Sequence, residues 1–115
     1  MKRDMNLIRT LLLVAETRPV STSFLPVELS DYTRDEIRYH AQLLGEAGLV
    51  LQASSARGTV MGNLTWQGHE FLELVRNDEV WHQACHLLGD EVGVLPFRVL
   101  EDVVCALMRS RVLHA

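Results

Sequence analysis

The sequence predicts an α+β fold, rich in helix with one two-stranded hairpin. Three observations carry this. Apolar residues recur at helical spacing in five stretches. Between residues 49 and 65 two short apolar runs flank a polar, Gly-containing turn. Capping and breaking residues sit at the boundaries of these elements, where the backbone chemistry needs them.

The first helix is expected over Asp4–Thr17. Met5, Ile8, Leu12 and Ala15 form its stripe, with Leu7, Leu11 and Val14 alongside, and Asn6, Arg9, Thr10 and Glu16 turned outward. Pro19 stops it. Ser21–Leu29 reads as a short edge strand or extended connector, because Pro26 removes a ladder donor. Thr33-Arg34-Asp35-Glu36 is a capping box that opens a second helix through Ala47, and Gly48 supplies the left-handed stop. Ile37, His40, Ala41, Leu43, Leu44 and Ala47 make its inner face.

Leu49–Ala53 and Thr59–Thr65 are the expected strands of a hairpin, turning through Ser54–Gly58 with Arg57 at the tip. Thr65 or Trp66 begins a third helix with Phe71, Leu72 and Val75 inward. Asn77 or Asp78 begins a fourth, with Trp81, Ala84, Cys85 and Leu88 on its stripe and Gly89 at its end. Pro96 opens a fifth, striped by Phe97, Leu100, Val104 and Leu107. Trp66 and Trp81 are both expected as core anchors.

The 115 residues suit one domain, divided internally into residues 1–65 and a C-terminal helical part, 66–115, packed on it. Hydrophobic residues at 48% and charged residues at 23% are globular values. The chain is expected to be cytoplasmic: its early apolar run, Leu11–Ala15, is far too short to span a bilayer, and Asp4, Asn6 and Arg9 break any signal-peptide core. Cys85 and Cys105 then read as reduced, buried thiols.

The net charge of −4 argues against coating nucleic acid by bulk charge. It is unevenly placed, however. Residues 1–64 hold seven basic and seven acidic side chains, whereas residues 65–115 hold four and eight. The acidity belongs to the C-terminal helices.

A helix ending in Leu43-Leu44-Gly45-Glu46-Ala47-Gly48-Leu49-Val50 and running into a hairpin resembles the winged helix-turn-helix fold. Leu64-Thr65 with Gly68 is similar to the exit from such a wing. The opening Met1-Lys2-Arg3-Asp4-Met5-Asn6-Leu7-Ile8-Arg9, with Tyr39-His40, Leu64–Leu72 (which contains Trp66-Gln67-Gly68-His69) and Asp78-x-Val80-Trp81, resembles a family of small bacterial and phage proteins classed as a domain of unknown function. The resemblance implies a winged helix with a two-stranded wing and a C-terminal helical extension. The positioning helix of such a motif would have to come from Ser21–Tyr32, which contains Pro26.

Two functions follow as expectations. The first is a DNA-binding regulatory protein. Arg34, Arg38 and Gln42 share one helix face and suit guanine and adenine edges, Arg57 suits a minor groove or phosphate, and Lys2, Arg3 and Arg9 suit flanking phosphates. The second is a phage-type inhibitor, like an antirepressor or anti-CRISPR protein, that binds a nucleic-acid-binding host or defence protein. Its acidic surface would be Glu70, Glu73, Asp78 and Glu79. A homodimer through the terminal helices is expected with either, since Val99, Val112 and Leu113, with Leu13 on the first helix, give apolar surface beyond one small core. His82 and His86 stand at i and i+4, a chelating spacing. Gln83 occupies the place where a zinc-protease helix carries its Glu, so no hydrolytic role is expected. No enzyme activity, cofactor or functional metal is expected.

Overall fold

The computed structural model describes residues 1–17, 29–51, 61–89 and 95–113. These residues form five α-helices: α1 (Met5–Thr17), α2 (Arg34–Glu46), α3 (Trp66–Val75), α4 (Asp78–Leu88) and α5 (Phe97–Leu113). Each begins where local chemistry directs. Asp4 Oδ1 accepts from the N–H groups of Asn6 (2.9 Å) and Leu7 (3.2 Å) at the start of α1. The Thr33–Glu36 capping box is complete on both arms. Thr65 caps α3 and Asn77 caps α4, each accepting from an N–H three residues on. Gly48 takes φ +75°, the left-handed conformation that ends α2.

The fold class predicted from the sequence is overturned. The described residues contain no strand; they form a helical assembly and not an α+β winged helix with a two-stranded wing. Among the described residues the expected hairpin region shows the antiparallel bridge Val50 to Leu64. It is flanked by Leu51 N–H to the Asn63 carbonyl (2.9 Å) and Thr65 N–H to the Leu49 carbonyl (3.0 Å). The physical reason is competition from helix ends. Leu49 and Val50 donate back to the Leu44 carbonyl at the close of α2, and Thr65 is already the cap of α3. The expected turn Ser54–Gly58, with Arg57, lies outside the described residues, as does Ser21–Glu28.

One core joins all five helices. α1 packs on α2 and α3, α3 packs on α4 and α5, and α4 packs on α5. Leu7, Leu11 and Leu12 of α1 meet Ile37 and Leu44 of α2, Phe71 and Leu72 of α3, Trp81 of α4, and Leu100 and Val104 of α5 in one buried cluster. Leu13, expected outside, is half-buried against that cluster. The Phe71 and Phe97 rings pack tilted at 41° with centroids 4.3 Å apart, which joins the start of α5 to α3. Trp81 is buried as expected. Trp66 is not: it is 77% exposed. It stands at the first position of α3, on the side opposite Phe71, Leu72 and Val75, so its wheel position and not its hydrophobicity decides where it goes.

Candidate functional site

Several of the charged candidates turn out to be joints of the fold. Arg9, expected to face outward, is half-buried. Its Nε donates to the Val75 carbonyl (2.6 Å), and its Nη2 to the Arg76 carbonyl (3.0 Å) and to the Asp78 carboxylate. One guanidinium therefore closes the end of α3 and holds the first turn of α4. Arg3 is half-buried and donates to the Leu95 carbonyl ahead of α5. Arg76 bridges Glu16 of α1 and Glu73 of α3, and Arg111 of α5 pairs with Glu79 of α4. The Arg76 hydrogen bond holds the Glu16 carboxyl below its ordinary range, and the same bond to Glu16 raises the Arg76 guanidinium.

Several of the motif residues are joints as well. His40, 1% exposed, accepts at Nε2 from the Asp4 N–H (2.7 Å) and meets the Glu36 carbonyl through Nδ1 (2.7 Å). This is the arrangement of the neutral Nδ1–H tautomer. Asn6 Oδ1 accepts from Trp81 Nε1 (2.8 Å). Thr65 Oγ1 donates to the Gly48 carbonyl, and a Cβ on Gly68 would lie 1.9 Å from the Leu49 carbonyl oxygen.

Two exposed faces carry the remaining candidates. On α2, Arg34, Arg38 and Gln42 lie in one exposed row, as the sequence predicts. Gln42 spends its amide on Glu46 (3.1 Å), and Asp35 shares the exposed first turn. Lys2 is exposed at the N-terminus. On α3, Trp66, His69, Glu70 and Glu73 are all exposed at positions i, i+3, i+4 and i+7. This face pairs an aromatic plate with two carboxylates, of which Glu73 also holds Arg76. Sequence reasoning found Glu70 and Glu73 and missed Trp66, although the helical wheel carried the signal. Asp78 and Glu79, the other acidic candidates, are exposed but tied to Arg9 and Arg111.

A cleft of about 270 Å³ opens between α1, the end of α2 and the start of α5. Met5, Ile8, Leu44 and Leu49 floor it, and Arg3 and Glu46 carry its charge. Among the described residues no nucleophile lines it. His82 and His86 are exposed on α4, and no group of three metal-ligating side chains exists among the described residues. Cys85 and Cys105 are free and half-buried, and burial pushes the Cys85 thiol up. No described helix is long and apolar enough to cross a membrane.

The geometry defines a small helical protein with exposed side-chain faces on α2 and α3. Over residues 2–94 it matches the family described as Hypothetical protein (DUF2513), and the chain belongs to that family. An uncharacterised protein of Haemophilus influenzae is 37% identical over 87 residues, covering 71% of this chain and 74% of that protein. No solved structure matches the chain. The expected membership in a domain family of unknown function is therefore met. α5 lies beyond the matched residues.

Proposed function

We propose that this chain is a non-enzymatic protein-binding module that holds a basic partner surface against the outer face of α3. The observation that carries the reading is Trp66, 77% exposed beside Glu70 and Glu73. Tryptophan is enriched among the side chains that dominate protein interfaces, and its ring face attracts Arg and Lys. Carboxylates one and two turns away complement the same cations. The acid excess of residues 65–115 extends that complementarity. If the surface bound is the partner's own nucleic-acid groove, binding is also inhibition.

A photo-cross-linking side chain in place of His69, exposed on the same face as Trp66, tests this in cell extract. The expected result is one captured protein with a basic surface, and its loss from Trp66→Ala and Glu70→Arg baits. Capture that survives Trp66→Ala rejects the reading.

A second reading rests on a different face. Arg34, Arg38 and Gln42 form an exposed row on α2, which supports contact with duplex DNA by a regulatory protein. Here Arg34→Ala and Arg38→Ala each weaken duplex binding, and salt weakens it steeply. Absence of duplex binding at low salt rejects this second reading and leaves the first intact.

A further inference from the structure

α5 buries only one side of itself. Leu100 and Val104 are fully buried, and Val103, Leu107 and Met108 pack beside them. The opposite side is an exposed row: Val99, Asp102, Ala106, Arg109 and Leu113. The spacing is three, four, three, four, which keeps all five on one narrow stripe and is the spacing of a helix–helix seam. Val99 is 40% exposed and Leu113 79%. Neither Asp102 nor Arg109 meets an opposite charge among the described residues.

The row reads nearly the same in both directions about Ala106. Apolar residues end it, seven positions away on each side. An acid and a base of opposite sign flank the small central residue. From this self-complementarity we propose that α5 is a homodimer interface, in which two copies cross antiparallel with Ala106 at the two-fold axis. Val99 then packs on Leu113 of the partner subunit. Asp102 faces Arg109 of the partner subunit, and symmetry makes that pair twice. Ala106 lets the backbones approach. A parallel copy would set Asp102 on Asp102 and Arg109 on Arg109, so charge selects the antiparallel arrangement. The 17-residue helix is about 25 Å long. One such crossing is a small interface, below about 1,200 Å², so the dimer is weak and forms reversibly. α5 lies outside the family-matched residues 2–94, so the interface is not implied by family membership. It is also independent of the α3 face.

Sedimentation equilibrium on the full chain tests it. The wild type is expected to show a monomer–dimer equilibrium with a Kd on the order of 10–100 µM. Asp102→Arg or Arg109→Asp alone sets like charges together and raises the Kd at least about tenfold. The double swap Asp102→Arg with Arg109→Asp restores opposite pairs and returns the Kd to within about threefold of wild type. Ala106→Glu, which sets two carboxylates at the axis, gives monomer. These positions are exposed, so far-ultraviolet circular dichroism stays unchanged. A wild type that is monomeric throughout that concentration range overturns the proposal. So do single swaps without effect, or a double swap that fails to restore the dimer.

Discussion

The backbone N–H of Asp4 donates to Nε2 of His40 across 2.7 Å, joining the cap of α1 to the buried face of α2. The two residues are 36 positions apart. Asp4 uses its side chain to start its own helix and its N–H to hold the neighbouring one. His40 relays that bond to the Glu36 carbonyl one turn back.

His40→Ala removes the acceptor, leaves the Asp4 N–H without its buried partner and opens a cavity. The expected loss is about 2–4 kcal/mol in urea unfolding. His40→Gln, whose amide oxygen can accept the same bond, is expected to recover part of it. Equal losses for the two variants would remove the hydrogen bond from the explanation.

Gly68→Ala forces a methyl group against the Leu49 carbonyl oxygen, where the ideal Cβ is 1.9 Å away. The obstacle is backbone, and that carbonyl also accepts from Thr65. α3 must shift away from the chain leaving α2. A loss of about 3 kcal/mol or more is expected, read as a lower urea midpoint. Gly68→Ala with an unchanged midpoint would refute this close packing.

Trp66 and Trp81 should separate by fluorescence. In Trp81→Phe the remaining indole, at 77% exposure, should emit at long wavelength and be quenched readily by iodide. In Trp66→Phe the remaining indole is buried and bonded to Asn6, so emission should be blue-shifted and protected. Trp81→Phe should also destabilise the fold, whereas Trp66→Phe should cost under about 0.5 kcal/mol.

The Glu16–Arg76 pair should make a small contribution that depends on pH. Glu16 titrates in the folded chain below its ordinary value of 4.5, because Arg76 hydrogen-bonds its charged form. A depressed folded value means stabilisation that is present above 4.5 and lost as the pH falls through the folded value. Both groups are solvent-exposed, so the contribution at neutral pH is about 1 kcal/mol or less. Comparing wild type with Glu16→Gln should show a gap at pH 7 that closes in acid. A gap independent of pH would contradict the pairing.

Local chemistry made the helices legible. The capping box at Thr33, the Gly48 stop and the caps at Thr65 and Asn77 act within a few residues, so α2, α3 and α4 lie close to where their patterns place them. The expected strands Leu49–Ala53 and Thr59–Thr65 are described only at 49–51 and 61–65, and those residues form a bridge without a strand. Leu49, Val50 and Met61 are buried between the exit of α2 and the entrance of α3, whereas Leu51 is exposed, and a short apolar run fits either role. The candidate site was half legible. Exposed rows follow from helical periodicity, and Arg34, Arg38, Gln42, Glu70 and Glu73 fall where it predicts.

The sequence by itself determined where helices start and stop, which faces are apolar, and that the acidity lies in residues 65–115. Only the tertiary structure decided which charges are spent inside the fold. Arg9 and Arg3 look like any basic residue along the chain. Their guanidinium groups are taken by the carbonyls of Val75, Arg76 and Leu95, between 66 and 92 positions away. A charge's availability depends on what folding brings within hydrogen-bond reach. No local pattern carries that information.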